Sequence, residues 1–436
     1  MIIEKTRLVL LCLSWFSAII NIIFGQTIST FSNIGTLSLL LFILLTIKCL
    51  KKESILIIII LFVIALLLLD HIPSFEDFLS GGRFILVFSA LLPTMILVRS
   101  VSIQIDSVKK TQNLLKKLPS QISSSGFQIA SHFFGSVINT STFSILSSAL
   151  PSDSKKFNRK KIAEACLRGM NTSATWSPFF VAFAVGQTFI DKSNSWIAIA
   201  FGLFIGIFFN LISLSIFSNE LNLKKIKLSL ECLYPVIPIL SLIMVSVLSV
   251  SLIFDYTALS AVVIVIPILI CIYFVFNIKN ISDVLFDTKS WLLKTSDDIT
   301  VICFAMLIGF LVTRSNTLND YTYYFSVLPS WTFLSLTPLV ITLFSFIGIH
   351  PIITSTIALS FLTSAQTEIH PALLMQAHLI GWASGTMSSV ASLSILSCSN
   401  LFQVDSRTLA FGPNFWTAII FSFSSGCLLS LVNLFI

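Results

Sequence analysis

Twelve stretches of 16 to 28 residues run through this chain with few or no charges: 7–25, 32–50, 54–70, 83–99, 162–189, 195–217, 233–254, 257–278, 299–314, 332–348, 351–367 and 409–436. A membrane-spanning helix needs about 20 mostly apolar residues. Only 10% of the residues are charged, against about 25% in ordinary soluble domains. A fold that faces water cannot hide this much apolar surface, so the solvent is lipid. The expected architecture is all-α and polytopic, with the first stretch read as an uncleaved span because it is too long for a signal h-region.

The formal charge of +7 invites a nucleic-acid reading. It fails, because the basic residues sit in short clusters between apolar runs and form no continuous patch. The eight cysteines include no CxxC pair, and they read as small buried hydrophobes rather than metal ligands or disulfides. No HExxH, GxSxG or intramembrane Asp pair is present, so no catalytic residue, transition metal or cofactor is expected beyond a coupling ion.

Charge sets the orientation. With the N-terminus cytoplasmic, 22 of the 26 basic residues fall on the cytoplasmic side, as the positive-inside rule requires. Arg83, Lys192, Arg314 and Arg407 are the exceptions, while Asp70, Glu76, Asp77, Asp191, Asp255 and Asp320 lie on the opposite side. Twelve crossings then leave both termini in the cytoplasm, and a bacterial-type inner (cytoplasmic) membrane is the expected location. The clusters at 99–117 and 155–161 are both strongly basic, so the Ser-rich segment 121–150 between them enters from the cytoplasm and returns. Such a re-entrant hairpin survives only where protein or a water-filled cavity surrounds it. Segment 103–118, amphipathic with four Lys, reads as an interfacial helix on the anionic leaflet.

Segment 121–150 has a partner. His132-x-x-Gly135-x-x-x-x-Thr140 matches His378-x-x-Gly381-x-x-x-x-Thr386, and Arg168-Gly169-Met170-Asn171 meets Phe411-Gly412-Pro413-Asn414. The second copy lacks basic flanks. Its hairpin, 371–397, is therefore expected to open outward, with residues near Lys156 and Ser399 on opposite faces. This predicts two inverted repeats, 83–217 and 299–436, beside N-terminal helices 1–82 and linking helices 218–298. In inverted-repeat carriers, binding falls near the midplane where helices break.

No Asp or Glu lies deep in a span. The polar groups at the expected breaks are hydroxyls, amides and free backbone. Asn139, Thr140, Asn171, Gly385 and Gly412 are the candidates for a hard cation, since Asn and Thr oxygens and liberated carbonyls suit Na⁺. Ser141, Thr172, Ser173, Thr386, Ser388, Asn414, His132 and His378 are the candidates for substrate. The two histidines read equally as proton carriers or as braces on backbone carbonyls. Arg168 reads as a carboxylate clamp or as a positive-inside anchor.

Asn139-Thr140-Ser141 and Asn171-Thr172-Ser173 resemble the Ser-Asn-Thr signatures of the divalent anion/sodium symporters. Those belong to the ion transporter superfamily, which also includes TRAP-type C4-dicarboxylate large permease subunits. Gly348-Ile349-His350-Pro351 is similar to segments of several such permeases. The resemblance implies a secondary transporter of a small organic anion coupled to Na⁺ or H⁺. A homodimer and a separate binding protein are compatible partners. The rival readings are a polyprenyl-glycan flippase or polymerase, and an inorganic-ion or Na⁺/H⁺ antiporter of the same superfamily.

Overall fold

The computed structural model describes residues 2–24, 29–150, 157–217, 223–313, 328–364, 368–390 and 392–436. Lys155, Lys156, Arg314 and Asp320, used above for orientation, lie outside the described residues. Helix makes up 84% of the structure, with no strand among the described residues. The helices are α1 (Ile2–Phe24), α2 (Ser29–Ile47), α3 (Lys52–Leu68), α4 (Phe75–Ser102), α5 (Asp106–Lys117), α6 (Ser120–Ile138), α7 (Thr142–Ser147), α8 (Arg159–Ser173), α9 (Val181–Gly186), α10 (Lys192–Phe217), α11 (Leu223–Glu231), α12 (Ile237–Ile253), α13 (Ala258–Phe276), α14 (Ile281–Lys294), α15 (Ser296–Thr313), α16 (Ser330–Phe346), α17 (Pro351–Ser364), α18 (Pro371–Ser388), α19 (Leu393–Phe402), α20 (Ser406–Ala410) and α21 (Pro413–Val432).

Among the described residues, seven helices are long and apolar enough to cross a membrane, or eight if the bent pair α14–α15 is one span. This is a multi-pass membrane protein. The count differs from the twelve expected because four of the apolar runs form helices shorter than 18 residues and one is divided. Residues 54–70, 233–254, 332–348 and 351–367 form the shorter helices α3, α12, α16 and α17. Stretch 162–189 breaks into α8 and α9. Residues 371–397 differ as well. Expected as a hairpin, they lie on α18 and α19, which together form one apolar stretch from Pro371 to Phe402.

The chain divides into two compact units. One comprises Met1–Val101, Ser246–Val327 and Thr356–Gln366. There, α1 and α2 pack so closely that a Cβ at Gly35 would run into that of Ser17. Arg7 donates to Thr46 at 3.1 Å and also to Ser296. Asp297 accepts from the Lys51 amide at 3.0 Å, and Asp287 accepts from Arg99 (3.2 Å) and Ser100 (2.7 Å).

The other unit comprises Ser102–Val245, Leu328–Ser355 and Thr367–Ile436, and it holds the candidate site residues. Local chemistry fixes its helix starts. Asn158 caps α8 by accepting from the Lys161 amide. His370 caps α18, with Pro371 at its first position. Ser392 caps α19 and Asp405 caps α20. Each cap satisfies an amide that the helix cannot.

Contacts within this unit give its helix directions. Ser131 donates to the Cys166 carbonyl and His132 meets the Gly169 carbonyl. Gly135 lies against Met170 and Ser173, and Ser177 donates to the Ser136 carbonyl. Residue numbers rise together, so α6 and α8 are parallel. Gln112 of α5 donates to the Ile145 carbonyl at 2.9 Å, which places α7 beside α5.

The same arrangement recurs with α16 and α18. Gly381 lies against Pro338 and Ile341, and Gly385 against Ser345. These helices are also parallel. A third helix runs antiparallel to each pair. Gly202, Asn210 and Ser213 of α10 meet Thr175, Thr172 and Gln128. Phe346 stacks near Phe415, and Ser335 bonds Ser430, across α16 and α21.

Candidate functional site

Helix α8 is buried on every face from Ile162 to Ser173, yet it carries Glu164, Arg168, Asn171 and Thr172. Buried polar groups must find partners, and theirs define the site. Asn171 donates to the Leu167 carbonyl at 2.8 Å, and its Oδ1 accepts from Thr386 at 2.7 Å and Ser394 at 3.0 Å. Asn171 therefore ties the end of α8 to the residues either side of the α18–α19 break. Further along, Cys398 Sγ lies 3.6 Å from the Ala163 carbonyl oxygen. On the other side of the break, His378 Nε2 lies 2.8 Å from the Ala182 carbonyl oxygen, and Gly186 packs on Met375. The pairs 186–375, 182–378, 171–386 and 163–398 run in order. Two broken helices, α8–α9 and α18–α19, therefore lie antiparallel and meet where both are interrupted.

Arg168 and Asn414 form a second knot. Arg168 Nη1 donates to Asn414 Oδ1 at 2.7 Å and Nε donates to Gln128 at 3.2 Å. Its guanidinium stacks over Phe217, 4.1 Å from the ring centre. Asn414 donates to the Glu164 carbonyl at 3.1 Å. The Arg168 fork is held by neutral amides and an aromatic face, with Glu164 one turn earlier on the same helix.

His132 forms a third. Its Nε2 accepts from the indole N–H of Trp176 at 3.1 Å, and its Nδ1 lies 3.1 Å from the Gly169 carbonyl oxygen. Indole nitrogen only donates and a carbonyl only accepts. His132 is therefore the neutral Nδ1–H tautomer, assigned by its partners, and it works here as a brace between α6 and α8. Asn210 Nδ2 donates to Thr172 Oγ1 at 3.0 Å and to the Gly206 carbonyl at 2.8 Å.

The remaining candidates are placed as follows. Asn139, Thr140 and Ser141 form a half-buried 3₁₀ turn at the tip of α6, with Asn139 at φ 53° and its Oδ1 accepting from the Thr140 amide at 2.8 Å. Ser173 turns back onto the Met170 carbonyl at 2.6 Å. Gly385 allows Ser345 to approach, and Gly412 precedes Pro413 at the start of α21 beside Glu164. Ser388 is buried and its Oγ has no partner among the described residues. The structure thus brings together Asn171 with Thr386, Thr172 with His132, and Asn414 with Arg168. It separates His132 from His378, which lie on different helices with no shared hydrogen-bond partner among the described residues. Sequence reasoning missed Gln128, Trp176, Asn210 and Ser394. Asn210 was the most legible of them, as the one amide inside the apolar run of α10.

Among the described residues, no group of three or more His, Cys, Asp or Glu side chains could hold a metal ion. The polar set is one of hydroxyls, amides, carbonyls, two imidazoles, one carboxylate and one guanidinium, able to bind a small anion or a desolvated alkali cation. Comparison with known protein families and with characterised proteins finds no match.

Proposed function

We propose that this protein is a secondary active transporter that moves a small organic anion of the carboxylate class across the cytoplasmic membrane by alternating access, coupled to Na⁺ or H⁺. The observation that carries this reading is the antiparallel crossing of two broken helices, closed by the Asn171–Thr386 and Asn171–Ser394 bonds. Interrupted helices expose backbone groups at membrane depth, which is tolerated where they line a cavity or an ion path.

A single offset of 212 residues supports a two-fold relation between the halves. It carries Ala163 to Met375 and Gly186 to Cys398, so the contact between Ala163 and Cys398 maps onto the contact between Gly186 and Met375. It carries Gly169 to Gly381, each the glycine at which a broken helix closely approaches the parallel helix beside it, α6 or α16. It carries Phe209 to Phe421, whose rings meet each other at 4.2 Å, as residues on an axis must. The repeats in this reading are α6 to α10 and α16 to α21, with α18 equivalent to α8 rather than to α6. The counterpart of α6 is then α16. The membrane is crossed eleven times, and a cytoplasmic N-terminus puts the C-terminal end outside.

The test is uptake by the purified chain in proteoliposomes across mono-, di- and tricarboxylates, with Na⁺ and pH gradients imposed separately. Gradient-driven accumulation of any of these, lost in Asn171→Ala, supports the reading. Absence of accumulation under either gradient would overturn it.

A further inference from the structure

His378 differs from His132 in one respect that its position makes consequential. The residue is fully buried in α18. Its Nε2 faces the Ala182 carbonyl oxygen at 2.8 Å, and an acceptor there requires Nε2 to carry the hydrogen. Nδ1 is then a bare lone pair, and among the described residues it has no hydrogen-bond partner. A buried acceptor left unmade is costly and calls for an explanation. At His132 the corresponding lone pair is occupied by the Trp176 N–H. A proton arriving there would displace a donor, whereas one arriving at His378 Nδ1 meets an open site.

Among the described residues, no charge of opposite sign lies beside His378. Of the elements packed against α18, α16 and α9 carry no ionisable side chain, while α19 and α21 carry one thiol each. Helix α10 brings Lys192 at its start and α20 brings Arg407. Helix α8 brings Glu164, Arg168, Cys166 and its basic first turn, but it runs antiparallel to α18. Its acidic end lies beside Cys398 while His378 lies beside Ala182, on the other side of the crossing. His350, in the turn after α16, meets one edge of the Trp382 ring at 5.7 Å, and His378 meets the same ring at 5.8 Å. It offers no negative charge. An imidazolium formed at His378 would thus be buried without a protein counter-ion, a state that an isolated charge avoids.

We infer that His378 Nδ1 is the proton acceptor that couples transport to a pH gradient, and that the anionic substrate supplies the missing counter-charge. This rests on the transporter reading above. A proton from bulk solvent adds to the Nδ1 lone pair while the Nε2–H bond to Ala182 persists, and the same proton leaves on the other side. Proton and carboxylate each make the other's burial easier, and by linkage each raises the affinity for the other. Sodium is not required for this cycle.

Two measurements on the full-length protein decide it. The first is nitrogen-15 NMR of histidine-labelled protein in nanodiscs, titrated between about pH 8 and 5, the range in which histidine changes charge. His132→Gln and His378→Gln assign the signals. The titration is run without added anion and with lactate, succinate or citrate in excess. The expected result is an Nδ1–H His132 that titrates in neither case and an Nε2–H His378 that gains a second proton at higher pH with one of these anions than without. A His378 whose protonation is unmoved by all three anions, or a His132 that protonates first, would overturn the proposal. Because this reading is made on unmutated protein, it stands even if His378→Gln fails to fold. The second is uptake of lactate, succinate and citrate under an imposed pH gradient. His378→Gln should lose pH-driven accumulation and the gain in exchange affinity at low pH, while His71→Gln, an exposed histidine outside the site, keeps both. If pH-driven uptake survives in His378→Gln, or wild-type uptake follows Na⁺ alone, the proton assignment falls and the transporter reading stands. If no anion is taken up at all, the transporter reading falls, and the NMR titration alone decides whether His378 is the acceptor.

Discussion

Gly169 decides how closely α6 and α8 approach. A Cβ there would overlap the Gln128 carbonyl oxygen and lie 3.1 Å from the His132 amide nitrogen, and backbone atoms cannot swing aside as a side-chain end can. Gly169→Ala should therefore lower stability by about 1–3 kcal/mol, the usual penalty of overpacking, read as a fall in melting temperature of the protein in nanodiscs. An unchanged melting temperature would mean that the two helices are less tightly apposed. Asn171 works by hydrogen bonding instead. A double-mutant cycle of Asn171→Ala with Ser394→Ala should give a coupling of about 0.5–3 kcal/mol, as expected for contacting residues, and zero coupling would remove the tie between the two breaks. The importance of Asn171 and Thr386 was legible in the sequence, because an amide and a hydroxyl beside glycines in apolar runs need partners. Their meeting was not, since 215 residues separate them and neither residue type names its partner. The neutral state of His132 was equally hidden: it depends on Trp176 standing at Nε2, a fact of three-dimensional placement.

At the scale of elements, helix starts could be read from Asn158, Pro371 and Pro413, because capping and proline chemistry are local. The pairing of repeats could not. The short His-x-x-Gly-x-x-x-x-Thr match joins α6 to α18, whereas the contacts align α18 with α8. Close approach constrains only Gly169 and Gly381 and leaves most other positions free to diverge. Crosslinking tests the contact-based alignment. With the other seven cysteines replaced, Ala163→Cys should oxidise to a disulfide with Cys398, whose sulfur already lies 3.6 Å from the Ala163 carbonyl oxygen; absence of the crosslink would argue against antiparallel α8 and α19. The start of α10 yields a pH prediction. The Asp191 carboxylate accepts from the Asn194 side chain at 2.6 Å and from its amide at 3.0 Å. The side-chain bond, then the backbone bond, holds its pKa below the ordinary value. A depressed carboxylate pKa gives stability that is present above the unfolded value, about 3.9, and is lost as pH falls through the lower folded value. Asp191→Ala should therefore lower the melting temperature at pH 6 and change it little in strong acid. The carboxylate is largely exposed, so the difference should be small and weaken in salt.

At the scale of the whole molecule, membrane character followed from composition alone, while sidedness required geometry. The basic clusters at 99–117 and 155–161 call for a segment that enters and returns, and the parallel packing of α6 and α8 is compatible with one. The same charge rule, applied to a segment with almost no basic residues, put a hairpin at 371–397, where the structure has the apolar stretch of α18 and α19: a rule that counts positive charges is silent where there are none. Arg159 Nη1 donates to Gln403 Oε1 at 3.2 Å, so the start of α8 and the end of α19 share one level, where the sequence reading had put residues near Lys156 and Ser399 on opposite faces. The expected labelling pattern is thereby reversed. Single cysteines at Lys160 and Ser399 should both react with an impermeant maleimide from the cytoplasmic side, and cysteines at Asp191 and Glu368 only from outside. This arrangement also moves Arg407 to the cytoplasmic face, leaving Arg83, Lys192 and Arg314 as the exceptions among 26 basic residues. The positive-inside bias is then stronger than in the twelve-span reading. Labelling of Lys160→Cys and Ser399→Cys from opposite sides would rule out the antiparallel crossing on which the proposed site depends, because residues in contact cannot lie on two faces of one bilayer.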